Sequence, residues 1–403
     1  MRCDDLSAPS QWGNPRRADW FKQMKLFSAF QQMKPEQAGI PPSPGLFIKL
    51  LVIALLGIGP LMIPHTLSAQ SEASGLFLLI APGARAGGMG EAQVAVANDA
   101  YASYWNPAGL AFLDGHELSA MHVNWLPGLA SDMYYEFAAY RQRVPSLGTF
   151  GAHVTYLNLG EQVQTGLSGP EELSRFRSYM WSGAVSFGRM VGKSAAVGGN
   201  LKVYRQFLAP AGVSEELTKD GAATSVAVDL AYLTRHLFTD RLAFGAMLSN
   251  MGPDVSFMQG GQADPPPTAL RLGLDFTILD NANHQIHLAY DASKLLTAYD
   301  NNGDPVPFYQ AIFTSWSDES GSVEMKQILH NFGVEYWFQH MLALRIGGMY
   351  QAAGEIRTQK GYPIPTFGAG IRYQRYGFDF GYVAGDKDHP LTNTMRFSLN
   401  MEF

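Results

Sequence analysis

Ala81–Leu110 reads APGARAGGMGEAQVAVANDAYASYWNPAGL and stands between an apolar leader and a long run of alternating sequence. Pro82-Gly83 favours a turn, and Gly87, Gly88 and Gly90 form a bend where backbone can approach backbone closely. Beyond Glu91 the residues are mostly small and apolar. Val94–Ala97 reads as a short strand. Asn98 or Asp99 then caps a brief helix over Ala100–Trp105, which Pro107 helps to end. Nothing here is long enough to fold alone.

Upstream, Leu46–Ile63 is the one apolar run approaching membrane length. It is broken at Gly57, Gly59 and Pro60, follows basic residues and precedes the small residues Ser68 and Ala69. That pattern suits a signal-peptide core cut after Ala69 better than a spanning helix. Residues 1–45 precede the leader without periodicity, so residues 1–69 are read as an extension plus signal peptide. Cys3 is the only cysteine, and it falls in that part. The remaining chain can have neither disulfides nor a thiol nucleophile. Removing residues 1–69 leaves 22 Lys+Arg against 31 Asp+Glu, the wrong balance for a nucleic-acid partner.

Downstream, from His116 on, apolar and polar residues alternate in segments of about ten, the period of a β-strand. Leu270, Leu272, Leu274, Phe276 and Ile278 oppose Arg271, Gly273, Asp275 and Thr277. Candidate strands lie near 116–126, 132–144, 147–159, 178–191, 194–208, 222–235, 242–251, 267–279, 284–296, 328–339, 341–353, 365–375, 376–385 and 391–403. Long connections alternate with tight ones such as Pro145-Ser146 and Gly192-Lys193, and aromatic residues crowd the segment ends. With charged residues at only 16%, these features predict an all-β fold, a fourteen-stranded antiparallel transmembrane β-barrel of the outer membrane. The last segment ends on Phe403 and resembles the C-terminal strand signal of such barrels. Fourteen strands leave a sizeable lumen, so residues 70–115 are assigned as an N-terminal plug segment and 116–403 as the barrel.

Three pieces of the opening stretch resemble the PorV/PorQ family of bacterial outer-membrane proteins and, more distantly, FadL-type fatty-acid transporters. They are ARAGGMGEA (Ala84–Ala92), VAVANDA (Val94–Ala100) and WNPAGLAF (Trp105–Phe112). The resemblance implies an outer-membrane component of the type IX secretion system that binds the C-terminal signal domain of secreted cargo and passes it from the translocon to the surface attachment machinery. Its implied partners are that translocon, the cargo C-terminal domains and outer-membrane lipid. The alternative is a FadL-like transporter of hydrophobic small molecules, and an outer-leaflet enzyme such as a lipid deacylase ranks below both.

No motif for catalysis emerges. His284 and His287 fall on opposite faces of a strand. Gly88-Met89-Gly90 lacks both the third glycine of a dinucleotide fingerprint and the Lys-Ser or Lys-Thr of a phosphate loop. Ser186 lacks one glycine of a nucleophilic elbow. The expectation is no enzyme, no metal and no cofactor. Arg85, Gly87, Gly88, Gly90, Asp99, Asn106, Pro107 and Gly109 are read as structural residues of the plug. Long external loops, Glu161–Arg177, Ala209–Asp220, Gly252–Pro266 and Thr297–Gln327, are the candidate partner contacts, with Met258, Phe308, Phe313 and Trp316 as their apolar side chains.

Overall fold

The computed structural model describes residues 73–165, 171–213, 218–257, 263–300, 304–318, 320–352, 363–385 and 391–403. The leader, the expected cut after Ala69 and the candidate contact Met258 lie outside the described residues. Fourteen antiparallel strands close into a barrel in sequence order, with the last paired to the first. They are β1 (His116–Asn124), β2 (Tyr134–Val144), β3 (Gly148–Thr165), β4 (Glu172–Met190), β5 (Ala195–Ala209), β6 (Gly221–Thr234) and β7 (Leu242–Met251). The second half adds β8 (Ala269–Asp280), β9 (His284–Leu295), β10 (Leu329–Phe338), β11 (Leu342–Tyr350), β12 (Ile364–Tyr373), β13 (Tyr376–Val383) and β14 (Thr394–Glu402). The fourteen-stranded all-β fold legible in the alternation is therefore present.

Alternation determines which face points where. Val154, Leu201, Leu230, Leu344, Phe367 and Leu399 are exposed on the outside, whereas Asp229, Glu335, Arg345, Asp379 and Arg396 are buried on the inside. At the closing seam Leu118 pairs with Met401 and Val123 with Arg396. The backbones of His116 and Phe403 exchange two hydrogen bonds of 3.2 and 3.0 Å.

Two local expectations are corrected. Glu161–Arg177 is not simply a loop: β3 and β4 continue upward, pairing Glu161 with Arg177 and Gln164 with Ser174 beyond an irregularity after Asn158. Pairing persists there although nearly every residue is exposed on both faces, and Arg175 ties the ribbon together through Glu161 and Glu172. Val94–Ala97 is a turn and not a strand, because its backbone groups are taken by side chains of the wall.

The residues before β1 form a chain of short elements: a 3-10 turn at Leu76–Leu79, helix α1 (Ala84–Gly88), helix α2 (Ala102–Trp105) and a second 3-10 turn at Pro107–Phe112. Asp99 accepts from the Tyr101 amide at 3.0 Å just ahead of α2. Asn106, in extended backbone, caps the second 3-10 turn by accepting from Ala108, and Pro107 fills its first position. Phe77, Leu78, Tyr101, Tyr104 and Trp105 pack on Met121, Val123, Tyr135, Phe137, Leu157 and Tyr204 of the inner wall. The apolar core of the protein is thus the interface between this inner segment and the barrel.

Candidate functional site

An irregular segment buried inside a barrel cannot leave its peptide groups unpaired, and here the wall's side chains supply the partners. Asp291 Oδ2 accepts from the amides of Gln93 and Val94 at 2.7 and 2.9 Å. Arg235 donates to the carbonyls of Ala95, Val96 and Ala97 at 3.0–3.3 Å. Thr366 accepts from Gly90 and donates to the Gly88 carbonyl, while Asn331 donates to the Gly90 carbonyl. Asn106 is wholly buried and bridges segment and wall, donating to Val94 O at 2.9 Å and Tyr232 O at 3.1 Å.

Glycine faces glycine where the backbones meet. A β-carbon on Gly88 would lie 2.7 Å from the Gly368 Cα. On Gly90, whose φ of 60° is left-handed, it would lie 2.5 Å from Gly348 and Phe332 backbone atoms. Gly87 differs, because its nearest neighbour is the Arg396 side chain at 2.9 Å. Gly109 lies against the Ala97 backbone, and Gly188 and Gly198 of the wall receive Pro107.

Charge forms a second layer of contact. Arg85 makes a two-pronged pair with Glu335, at 2.9 and 2.6 Å, and reaches Asp99 at 3.3 Å. Burial works against the Arg85 charge, but the paired carboxylates of Glu335 and Asp99 outweigh it and hold the guanidinium above its ordinary value. Glu335 also accepts from Arg345 at 2.7 Å; Arg345 and Arg372 both reach Asp379, at 2.9 and 2.8 Å. Arg396 pairs with Glu91 at 2.6 Å. Burial pushes the phenols of Tyr101 and Tyr104 upward, so both stay neutral donors; they donate to Ser398 Oγ and Leu78 O.

Toward the long-loop end, the segment and wall leave a cavity of about 320 Å³. Leu76, Leu79 and Ile80 form one side, Trp125 and Leu329 another, and Arg271 and Asp291 the floor. The Arg271 guanidinium lies 5.3 Å from the Tyr104 ring centre and 5.7 Å from that of Trp105. Over this end the β9–β10 connection folds into helices α3 (Phe308–Thr314) and α4 (Gly321–Gln327). Buried Lys294 of β9 anchors it, 2.8 Å from Glu324, 3.1 Å from Gln327 and 5.6 Å from the Trp316 ring centre. Phe313 and Trp316 are exposed at 78% and 44%; Phe308 is half-buried against Tyr309.

The structure therefore gathers Arg85, Gly87, Gly88, Gly90, Asp99, Asn106, Pro107 and Gly109 in one place, the inner segment, and Phe308, Phe313 and Trp316 in another. Sequence reasoning missed the wall partners, above all Asp291, Arg235, Thr366 and Asn331. Glycines at inward positions of the strands, such as Gly347 and Gly368, were the readable signal of a close neighbour. Among the described residues no group of three or more His, Cys, Asp or Glu could hold a metal.

The family model for type IX secretion system protein PorV matches residues 69–301. No curated protein matches in sequence. The crystal structure of the toluene transporter TbuX of Ralstonia pickettii is similar at a TM-score of 0.50 and 14% identity, covering 81% of this chain and 100% of that one. Toluene transporter TodX of Pseudomonas putida has a TM-score of 0.48 at 14% identity, over 79% and 96%. A FadL homologue of Pseudomonas aeruginosa has 0.43 at 12%, over 79% and 98%. The likeness to TbuX shows a shared barrel fold.

Proposed function

Since the chain belongs to the PorV family of type IX secretion system proteins, and so is an outer-membrane component of that system, we propose that it receives secreted cargo through the cargo's C-terminal signal domain and passes it from translocon to surface attachment machinery. The observation that carries this reading is the contrast between the inner segment and the long-loop end of the barrel. Backbone of the segment meets wall backbone at Gly88, Gly90, Val94 and Pro107, whereas the long-loop end holds aromatic side chains out to solvent above the buried Leu296, Ala298, Ala311 and Ser315. Apolar groups held in place at a polar rim suit docking of a folded partner.

The remaining assignments follow the same logic. The exposed apolar band of the strands sits in the membrane, with the tight turns periplasmic and the long connections outside. Residues 73–115 act as the plug, within a unit of 70–115, and the barrel of 116–403 carries the outer loops. Residues 1–69 are removed. Binding and transfer involve no catalysis.

Gentle purification from the native membrane tests the function. Co-purification of a translocon component and of cargo bearing its signal domain is expected, and F313A/W316A should lower the cargo yield while leaving heat-modifiable migration unchanged. Long-chain lipid without either protein would overturn the reading in favour of a FadL-like transporter, the alternative that the 320 Å³ cavity beneath the outer loops favours.

A further inference from the structure

Arginine is unevenly distributed on the outside of the barrel. Side chains alternate between lumen and exterior along each strand, and Arg141, Arg271, Arg345, Arg372 and Arg396 belong to the inward set. Among the described residues, the arginines on the outward face of the wall are Arg177, Arg189 and Arg205, all on β4 and β5. Arg189 stands at the short-turn end, Arg177 and Arg205 at the long-loop end.

Aromatic rings fix the depth of the latter two. Tyr134, Tyr156, Tyr179 and Phe207 form an outward row with ring centres 5.2–6.1 Å apart, the girdle expected at a membrane interface. Tyr179 pairs with Phe207 across β4 and β5. Arg177 is the next outward residue above Tyr179, and Arg205 the next below Phe207. The two therefore bracket the girdle, about 13 Å apart along the strands, a span that two long flexible stems can close. Trp181 lies between Tyr156 and Arg205 in the register. Below them Val154, Val185, Leu201 and Val203 are exposed on the outside.

Nearby carboxylates are already taken. Glu161 faces Arg177 across β3 and β4, but it pairs with Arg175 at 2.6 Å, as Glu172 also does with Arg175. Glu136, on the outward face of β2, is held by His122 at 2.8 Å. Arg205 donates to Thr224 Oγ1 at 3.0 Å. From Phe150 to Asn158 on β3, from Arg177 to Arg189 on β4 and along β5 and β6, no outward residue is acidic. Arg177 and Arg205 thus stand at the interface without a carboxylate partner among the described residues.

We propose that the outward face of β3–β6 at the long-loop end binds a phosphorylated glycolipid of the outer leaflet. Its phosphates take Arg177 and Arg205, its sugars lie on the Tyr156 and Tyr179 rings, and its acyl chains run down Val154, Val185, Leu201 and Val203. A guanidinium fork matches phosphate oxygens two at a time. Charge, ring and aliphatic surface follow one another down β4 as Arg177, Tyr179 and Val185, the order in which such a lipid presents phosphate, sugar and acyl chain. The site rests on the placement proposed above, with the long connections outside, and not on the handling of cargo.

Native mass spectrometry of the detergent-solubilised full chain, with diphosphoryl lipid A as the probe, tests the proposal. The probe should be retained, and its dephosphorylated form held about tenfold less. R177Q/R205Q should lower retention by about tenfold or more with heat-modifiable migration unchanged, whereas R189Q should leave it as it is. If the glutamine variant does not assemble, R177K/R205K keeps the charge without the fork, and a loss of about threefold is expected. In native membranes, a photoreactive residue at Val203 should give a lipid adduct. Equal retention of both lipid forms, undiminished retention in the assembled variants, displacement by inorganic phosphate at the probe's own concentration, or a protein adduct at Val203 would overturn the site. Labelling of S317C on intact cells with a membrane-impermeant maleimide checks the orientation separately; if the label never reaches it, the placement fails instead.

Discussion

Glu335 joins two systems: the inner segment, through Arg85, and the wall, through Arg345. Breaking a buried pair by removing its charge leaves the opposite charges uncompensated, typically at a cost of about 3–5 kcal/mol. E335Q is therefore expected to lower unfolding resistance in detergent more than R85M does, because R85M leaves Glu335 with Arg345; urea titration followed by heat-modifiable migration measures both. The glycines make a second contrast at this scale. G88L and G90L push side chains into wall backbone and should block assembly or leave a leak measurable as single-channel conductance. G87A meets only the movable Arg396 side chain, so it should assemble normally.

Among the elements, the β9–β10 connection has its own chemistry. Asp318 is exposed on the loop, yet partial screening of its carboxyl from water and the neighbouring Glu324 carboxyl push it up to about 6, against the partial relief of Lys294. A carboxyl raised in the folded state favours folding fully below its unfolded value near 4, and that contribution is lost as pH rises through about 6. Hydrogen-exchange protection over 320–327, taken relative to the intrinsic rate at each pH, should fall between pH 4 and 7, and D318N should flatten that fall. The strands themselves were readable from period-two alternation, with most ends within two or three residues. The β3–β4 ribbon was not, since Gly, Ser and charged residues there carry loop chemistry although the pairing continues. Val94–Ala97 had strand composition but no strand partner, because Asp291 and Arg235 satisfy its backbone instead.

At the scale of the molecule, the barrel was legible and its contents only partly so. Small residues and glycines announced a segment made for close contact, but the groups that hold it come from distant strands: Glu91 meets Arg396 across 305 positions of sequence. Periodicity records which way a residue points and not which residue it will meet. The seam between β1 and β14 adds a temporal constraint. Residues 73–115 precede the first strand, and their glycines fit wall glycines with no room for a sliding side chain. A preformed cylinder could not be threaded from one end and still reach that fit, so the strands must wrap around the segment before the chain's last residues meet β1. A barrel beginning at residue 116 should not be rescued by the inner segment added later as a separate peptide, whereas co-expression of the two pieces should restore heat-modifiable migration. Enclosure, then, is an event in the protein's history: the vessel is cast around its contents, and the final strand sets the moment after which nothing inside can be exchanged.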